Sequence, residues 1–216
     1  MSHITLIRHG QANSGARDEE SYDKLSPLGH QQARWLGAYL RDASAHHPRI
    51  YCGTLIRHVE TAASAGLVDV VQDERLNELP YFTLATLLRD QRGLDIPTDR
   101  EGFIHHLPRV FTAWSNNDIA NPPIAFDAYI EGVNTALAEI AEGPGPALVV
   151  TSGGLISMVM RDALGLDMQA TARMALAIMN TSMHRIFPIG DTMTPVLFNA
   201  VPHLDTPDRH YAQTHL

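Results

Sequence analysis

The sequence predicts an α/β fold: a mostly parallel sheet with helices packed on both faces. Three observations predict it. Short apolar runs of strand length recur at Ile4–Arg8, Ile50–Cys52, Val68–Val71 and Ala147–Thr151. Stretches with helical patterning separate them. The run Ala147-Leu148-Val149-Val150-Thr151 is apolar without alternation, as expected of a central parallel strand buried on both faces.

Ile4 to Arg8 reads as the first strand, and the polar stretch Asn13 to Lys24 as loop. Ser26-Pro27 marks a helix start, with serine as N-cap and proline at the first helical position. Leu28, Leu36, Tyr39, Leu40 and Ala43 then fall on one face. Ile50-Tyr51-Cys52 reads as a second strand. A helix from about Leu55 to Ala65 follows, with Thr54 as its expected N-cap and Gly66 as its stop. Val68 to Val71 is a third strand. Between Pro80 and Pro146 the pattern weakens into helices and loops punctuated by Pro97, Pro108, Pro122-Pro123 and Pro144. The aromatics there (Tyr81, Phe82, Phe103, Phe111, Trp114, Phe126, Tyr129) suit a local core, with a substrate platform as the alternative. After Ala147–Thr151, Leu155 to Leu164 is apolar nearly all round and reads as a buried helix. Another helix is expected near Gln169 to Ile178, then closing strands at Met183 to Pro188 and Val196 to Ala200. The polar tail after Asp205 is expected to fray. We expect one domain over residues 1–216, with a largely helical cap inserted around 80–146.

Composition narrows the functional classes. A formal charge of −8 over 216 residues, with no basic stretch, argues against a nucleic-acid binder or a binder of anionic membranes. It leaves room for a phosphorylated ligand held by a few local arginines. The single cysteine, Cys52, rules out an internal disulfide framework and fits a reducing compartment. The chain opens into Ile4–Ile7 without a basic leader, and no run approaches a membrane span, so a cytoplasmic location is expected. The 12 histidines are mostly scattered. The pairs His46-His47 and His105-His106 lack companions at metal-ligand spacing and read as surface residues; no metal site and no cofactor are expected.

In open α/β sheets ligands collect at the carboxyl ends of strands, and three segments arrive there with suitable chemistry. Arg8-His9-Gly10 follows the first strand. Arginine can grip a phosphate through two parallel charge-assisted bonds. A neutral histidine can attack phosphorus, and glycine lets the backbone approach an anion. Arg57 is placed in the first turn of its helix, where a capping box would want Glu or Gln and where a cation opposes the helix dipole. That placement costs a few tenths of a kcal/mol or more unless an anion sits nearby. Thr151-Ser152-Gly153-Gly154 is a glycine-rich strand-to-helix turn able to present N–H groups to an anion, or simply a tight turn with Ser152 as N-cap. Glu78, just past the third strand, is a candidate proton donor or a solvated surface carboxylate.

Together these residues resemble the histidine phosphatase superfamily, which includes the phosphoglycerate mutases and many small phosphatases. The resemblance runs through Leu6-Ile7-Arg8-His9-Gly10-Gln11, Leu25-Ser26-Pro27-Leu28-Gly29-His30-Gln31-Gln32-Ala33, Leu55-Ile56-Arg57-His58-Val59-Glu60-Thr61-Ala62, Leu76-Asn77-Glu78 and Val150-Thr151-Ser152-Gly153-Gly154. The segments stand in the family's order and span both ends of the chain; residues 80–146 match little. The resemblance implies a phosphoglycerate mutase-like three-layer α/β/α sandwich and a phosphohistidine intermediate. It implies His9 as nucleophile, Arg8 and Arg57 as the phosphoryl clamp, and Glu78 as proton donor, then activator of water. Phosphate contacts are expected from Arg8, Arg57, Asn13, Ser152 and Gly153. No metal or cofactor is implied.

Ser152 departs from the family, which commonly has a second histidine there. An uncharged hydroxyl in place of an imidazolium can cost on the order of 2–4 kcal/mol in the transition state. His184 and His203 are the candidates to fill the gap, with a structural role as the plainer reading. The mutases typically continue from Arg-His-Gly into Glu and then a Trp-Asn pair, where this chain has Gln11-Ala12-Asn13-Ser14-Gly15. Hydrolysis of a phosphomonoester is therefore favoured over phosphoryl exchange. A phospho-ligand-binding module with weak or no catalysis, and a phosphoglycerate mutase-type transferase, are the alternatives. The expected partner is a small phosphorylated substrate or a phosphoprotein, with oligomeric state open.

Overall fold

The computed structural model describes residues 2–13, 16, 18–190 and 192–215. β1 (Ile4–Arg8) is buried throughout. The polar stretch read as loop contains a four-residue helix, α1 (Glu19–Tyr22), which buries no side chain and so leaves no apolar period in the sequence. Ser14, Gly15 and Arg17 of that stretch lie outside the described residues. α2 (Pro27–Asp42) starts where expected, with the Ser26 hydroxyl accepting the Gly29 N–H at 3.0 Å. β2 (Arg49–Cys52), α3 (Ile56–Ser64) and β3 (Val70–Gln72) follow, and Gly66 ends the α3 segment at φ +71°.

The weakly patterned middle forms α4 (Tyr81–Arg92), α5 (Arg100–Ser115) and α6 (Phe126–Glu142). Pro108 lies inside α5 and does not end it. β4 (Ala147–Thr151), α7 (Gly153–Leu164), α8 (Met168–Ala177), β5 (Met183–Ile189) and β6 (Thr192–Ala200) complete the order.

The strands form one six-stranded sheet in the order β3-β2-β4-β1-β5-β6. The first four are mutually parallel, and β5 and β6 add an antiparallel edge. Side-chain alternation divides the core into two layers. Ile4 and Leu6 of β1 and Val149 of β4 join a large cluster with Leu84, Phe111, Trp114, Leu137 and Ile156 from the later helices. Ile7 of β1 and Leu148 and Val150 of β4 join the opposite cluster with Leu36, Leu40 and Ala62 from α2 and α3. Helices on both faces of one sheet make this a three-layer α/β/α sandwich.

The tail is docked, contrary to the expectation that it frays. Ala212 is buried, the Gln32 amide donates to Ala212 O at 2.7 Å, and Asn180 N–H donates to Thr214 O at 2.8 Å. These bonds join residues far apart in the chain, so polar composition concealed them. Among the described residues no helix is long and apolar enough to cross a membrane.

Candidate active site

The carboxyl ends of β1 and β4 lie side by side, with Arg8 paired to Thr151 in the parallel register. The next residues, His9 and Ser152, emerge together, and the His9 N–H donates to Thr151 O at 2.8 Å. His9 is 1% exposed. Its Nδ1 stands 2.7 Å from Gly10 O; a carbonyl only accepts, so Nδ1 carries the proton and Nε2 keeps its lone pair. Burial foremost, then the charges of Arg57 and Arg8 and the nearby His58, holds the His9 pKa well below the ordinary imidazole value. The ring is therefore neutral at physiological pH.

Gly10 is required by packing. A Cβ there would stand 2.5 Å from Gly29 O, so the glycine admits the N-terminus of α2.

Arg8 donates to Ile178 O. Arg57, 2% exposed, pairs with Asp23 Oδ1 through Nη1 at 2.9 Å. The Asp23 carboxylate also accepts the Ile56 N–H at 2.9 Å and the Arg57 N–H at 3.2 Å. Asp23 thus caps α3 and supplies the anion that offsets Arg57 against the helix dipole. The expected N-cap Thr54 is instead tied to Asn77, and Leu55 stands at the cap position without a side-chain bond. The dipole placement alone therefore does not call for a phosphate. Both Arg8 and Arg57 line a cavity, and the Nε–H of each is buried without a hydrogen-bond partner among the described residues, as are those of Arg161, Arg185 and Arg209.

Glu78 accepts the Gly154 N–H at 3.2 Å and the Leu79 N–H at 3.0 Å. Burial outweighs these bonds and the charges of Arg57 and Arg8, so its pKa is raised. Arg8, Arg57, Asn13, Glu78 and Gly153 line one cavity of about 430 Å³. Asn13 also donates to Ser21 O at 2.9 Å.

The far side of the cavity carries Tyr81, Phe82, Phe103, Leu107 and Phe111. Trp114, Phe126 and Tyr129 are buried in the core. The local-core reading therefore holds for these three and for Phe111, which is 1% exposed in the same cluster, while Tyr81, Phe82 and Phe103 face the cavity.

Ser152 is fully buried at the start of α7, and its hydroxyl lies 2.6 Å from His58 Nε2 without capping the helix. His9 and Ser152 lie behind the cavity wall and are not among its lining residues, and neither are His184 and His203. The latter two bond to Ser182 and Thr181 at 2.8 Å each, and burial pushes their pKa values down to about 3 and about 4. The adjacent histidine pairs are less exposed than expected. His106 is buried with Nδ1 2.9 Å from the Tyr81 hydroxyl, and half-buried His47 reaches Thr5.

Several cavity residues were not marked by the sequence, Glu19 and Tyr22 among them. Glu19 accepts the Phe82 N–H at 3.0 Å at the start of α4, and burial raises its pKa. The Tyr22 ring lies 6.2 Å from the His9 ring and 5.0 Å from the Arg57 guanidinium carbon. Both sit on α1, where no local pattern marks them. Among the described residues no group of three or more His, Cys, Asp or Glu side chains is placed to hold a metal ion.

The sequence model of the histidine phosphatase superfamily (branch 1) matches residues 4–201. The chain belongs to this superfamily. No curated protein matches it significantly in sequence. Its fold is similar to a phosphoserine phosphatase mutant from Entamoeba histolytica solved with phosphoserine, at 18% identity and TM-score 0.69, covering 94% of this chain and 100% of the other. It is also similar to a mycobacterial glucosyl-3-phosphoglycerate phosphatase solved with VO3, at 24% identity and TM-score 0.64, covering 93% and 100%.

Two substitutions probe how this superfamily member holds its site. A Cβ at Gly154 would stand 2.2 Å from Glu78 Oε1. Gly154→Ala should displace that carboxyl and lower kcat by on the order of 10²-fold with little change in melting temperature, measured by steady-state kinetics and a thermal melt. Asp23→Ala removes a helix cap and strands the buried Arg57 charge. A loss of about 3–5 kcal/mol is expected, readable by urea denaturation; a wild-type midpoint would show that the pair contributes nothing.

Proposed function

We propose that this protein hydrolyses a phosphomonoester through a phosphohistidine on His9. The observation that carries the reading is a neutral His9, Nε2 lone pair available, set beside two buried arginines whose Nε–H groups lack partners. Buried Nε–H groups without partners among the described residues occur at Arg161, Arg185 and Arg209 too; what sets Arg8 and Arg57 apart is that both line the cavity and place their charges beside His9, where a phosphoryl group would offset them.

His9 Nε2 attacks phosphorus as the ester P–O bond breaks. Arg8 and Arg57 stabilise charge on the phosphoryl oxygens, with Asn13, Ser152 and the Gly153 turn completing the cradle. Glu78, whose pKa burial raises, gives its proton to the leaving oxygen. The resulting carboxylate then takes a proton from water as that water attacks phospho-His9, which releases inorganic phosphate and restores both groups.

The cavity size suits a small phosphorylated molecule better than a protein surface. Its aromatic side favours a leaving group with an apolar portion. The test is a panel of phosphorylated metabolites and aryl phosphates assayed for inorganic phosphate, with His9→Ala as control. Turnover that is absent from wild type, or equal in the two proteins, rejects the reading. Retained ligand without phosphate release would instead favour a binding module, which the serine at position 152 keeps in play. Faster exchange between phosphoglycerate isomers than hydrolysis would favour a mutase.

A further inference from the structure

His58 has no part in the mechanism above, yet it is fully buried, with its ring centroid 5.8 Å from that of His9. Its Nε2 lies 2.6 Å from Ser152 Oγ, while Nδ1 is buried without a partner among the described residues. The seat is shaped for the ring: a Cβ at Gly53 would stand 2.2 Å from Nδ1. Burial foremost, and then the Arg57 charge, keeps the imidazole uncharged, so it carries one proton.

If Nδ1 held that proton, a buried N–H would be left unpaired, which is rare in folded proteins. With the proton on Nε2, His58 donates to Ser152 Oγ. The serine oxygen is then occupied as an acceptor, and its own O–H is free to turn elsewhere. Ser152 follows Thr151, whose carbonyl accepts the His9 N–H, so this hydroxyl sits at the strand ends from which His9 emerges.

We propose that His58 is a positioning residue that fixes the Ser152 hydroxyl as a hydrogen-bond donor to the phosphoryl group on its way to and from His9. The proposal rests on the phosphatase reading. It makes the two side chains one unit, delivered from α3 and from the β4–α7 turn. No proton is lost or gained by the pair: each member donates one hydrogen bond in the same direction.

The test compares wild type, Ser152→Ala, His58→Ala, the double variant and His58→Gln, whose amide can still donate to the serine. The readouts are kcat and KM on an aryl phosphate, and the affinity for vanadate, a mimic of the pentacoordinate transition state. Each alanine variant should lower kcat by about 100-fold with little change in KM, and should weaken vanadate binding in proportion. The double variant should be no worse than either single, and His58→Gln should recover most of the loss.

Wild-type behaviour in His58→Ala, losses that multiply in the double variant, or no recovery in His58→Gln would each overturn the proposal. If His58→Ala does not fold, the comparison of His58→Gln with Ser152→Ala decides: equal impairment overturns the proposal, and an active Gln variant supports it. Turnover that survives His9→Ala defeats the phosphatase reading alone, because the vanadate affinities still report on the pair. Absence of vanadate binding in wild type overturns both.

Discussion

His9→Ala is expected to lower phosphate release by on the order of 10⁴- to 10⁶-fold, the range seen when a covalent nucleophile is removed. The fold should survive. The imidazole makes one side-chain bond to its neighbour Gly10, and the strand beneath it is held by backbone pairing to β4 and β5. Loss of the ring leaves Arg8 and Arg57 in place, so the variant should still bind phosphorylated substrate. Calorimetric titration with a substrate identified in the panel, beside single-turnover assays, would show binding without turnover. Residual turnover within tenfold of wild type would remove His9 from the nucleophile's role.

Glu78→Gln is expected to lower kcat by about 10²- to 10⁴-fold, on activated aryl esters too because water attack on phospho-His9 loses its base, while kcat/KM falls much less on such esters, whose leaving group needs no proton. In wild type the rate should rise with pH as His9 loses its proton, and the depressed His9 pKa places that limb in acid. It should fall again as Glu78 ionises, at a pH above the ordinary carboxyl range because burial raises its pKa. The Gln variant should lose the descending limb.

Stability follows the same shift. A carboxyl whose folded pKa lies above its unfolded value contributes fully below the unfolded pKa, and that contribution disappears as pH rises through the folded pKa. Glu78→Gln should therefore melt higher than wild type at pH 8, with the difference shrinking as the pH drops into the carboxyl range. A pH-independent difference would mean that the carboxyl is not buried at cost.

Much of the fold was legible because its signals are local. β1 and β4 announce themselves as apolar runs, and Ser26-Pro27 marks the start of α2 within the residues that form it. The candidate site residues that drew on such strands, Arg8, His9, Ser152 and Gly153, are those that stand at or just beyond the carboxyl ends of β1 and β4. What could not be read depends on contacts between distant segments. Asp23 caps a helix 33 residues further on, and Glu19 reaches across 63 residues to Phe82. Short polar α1 carries Glu19 and is followed directly by Asp23, and it has no buried face to betray it. The anion inferred beside Arg57 was real in kind but was first supplied from within the chain. His58 was hidden in another way: it stands next to the arginine that drew attention, and only the folded chain brings it to Ser152.

Rapid-quench trapping of the phosphoenzyme tests the central claim most directly. Wild type mixed with a ³²P-labelled substrate and quenched in alkali should carry label that survives base and is lost in mild acid, as a phosphoramidate does, and His9→Ala should carry none. Label that is stable to acid, or that appears equally in His9→Ala, would contradict a phosphohistidine at His9.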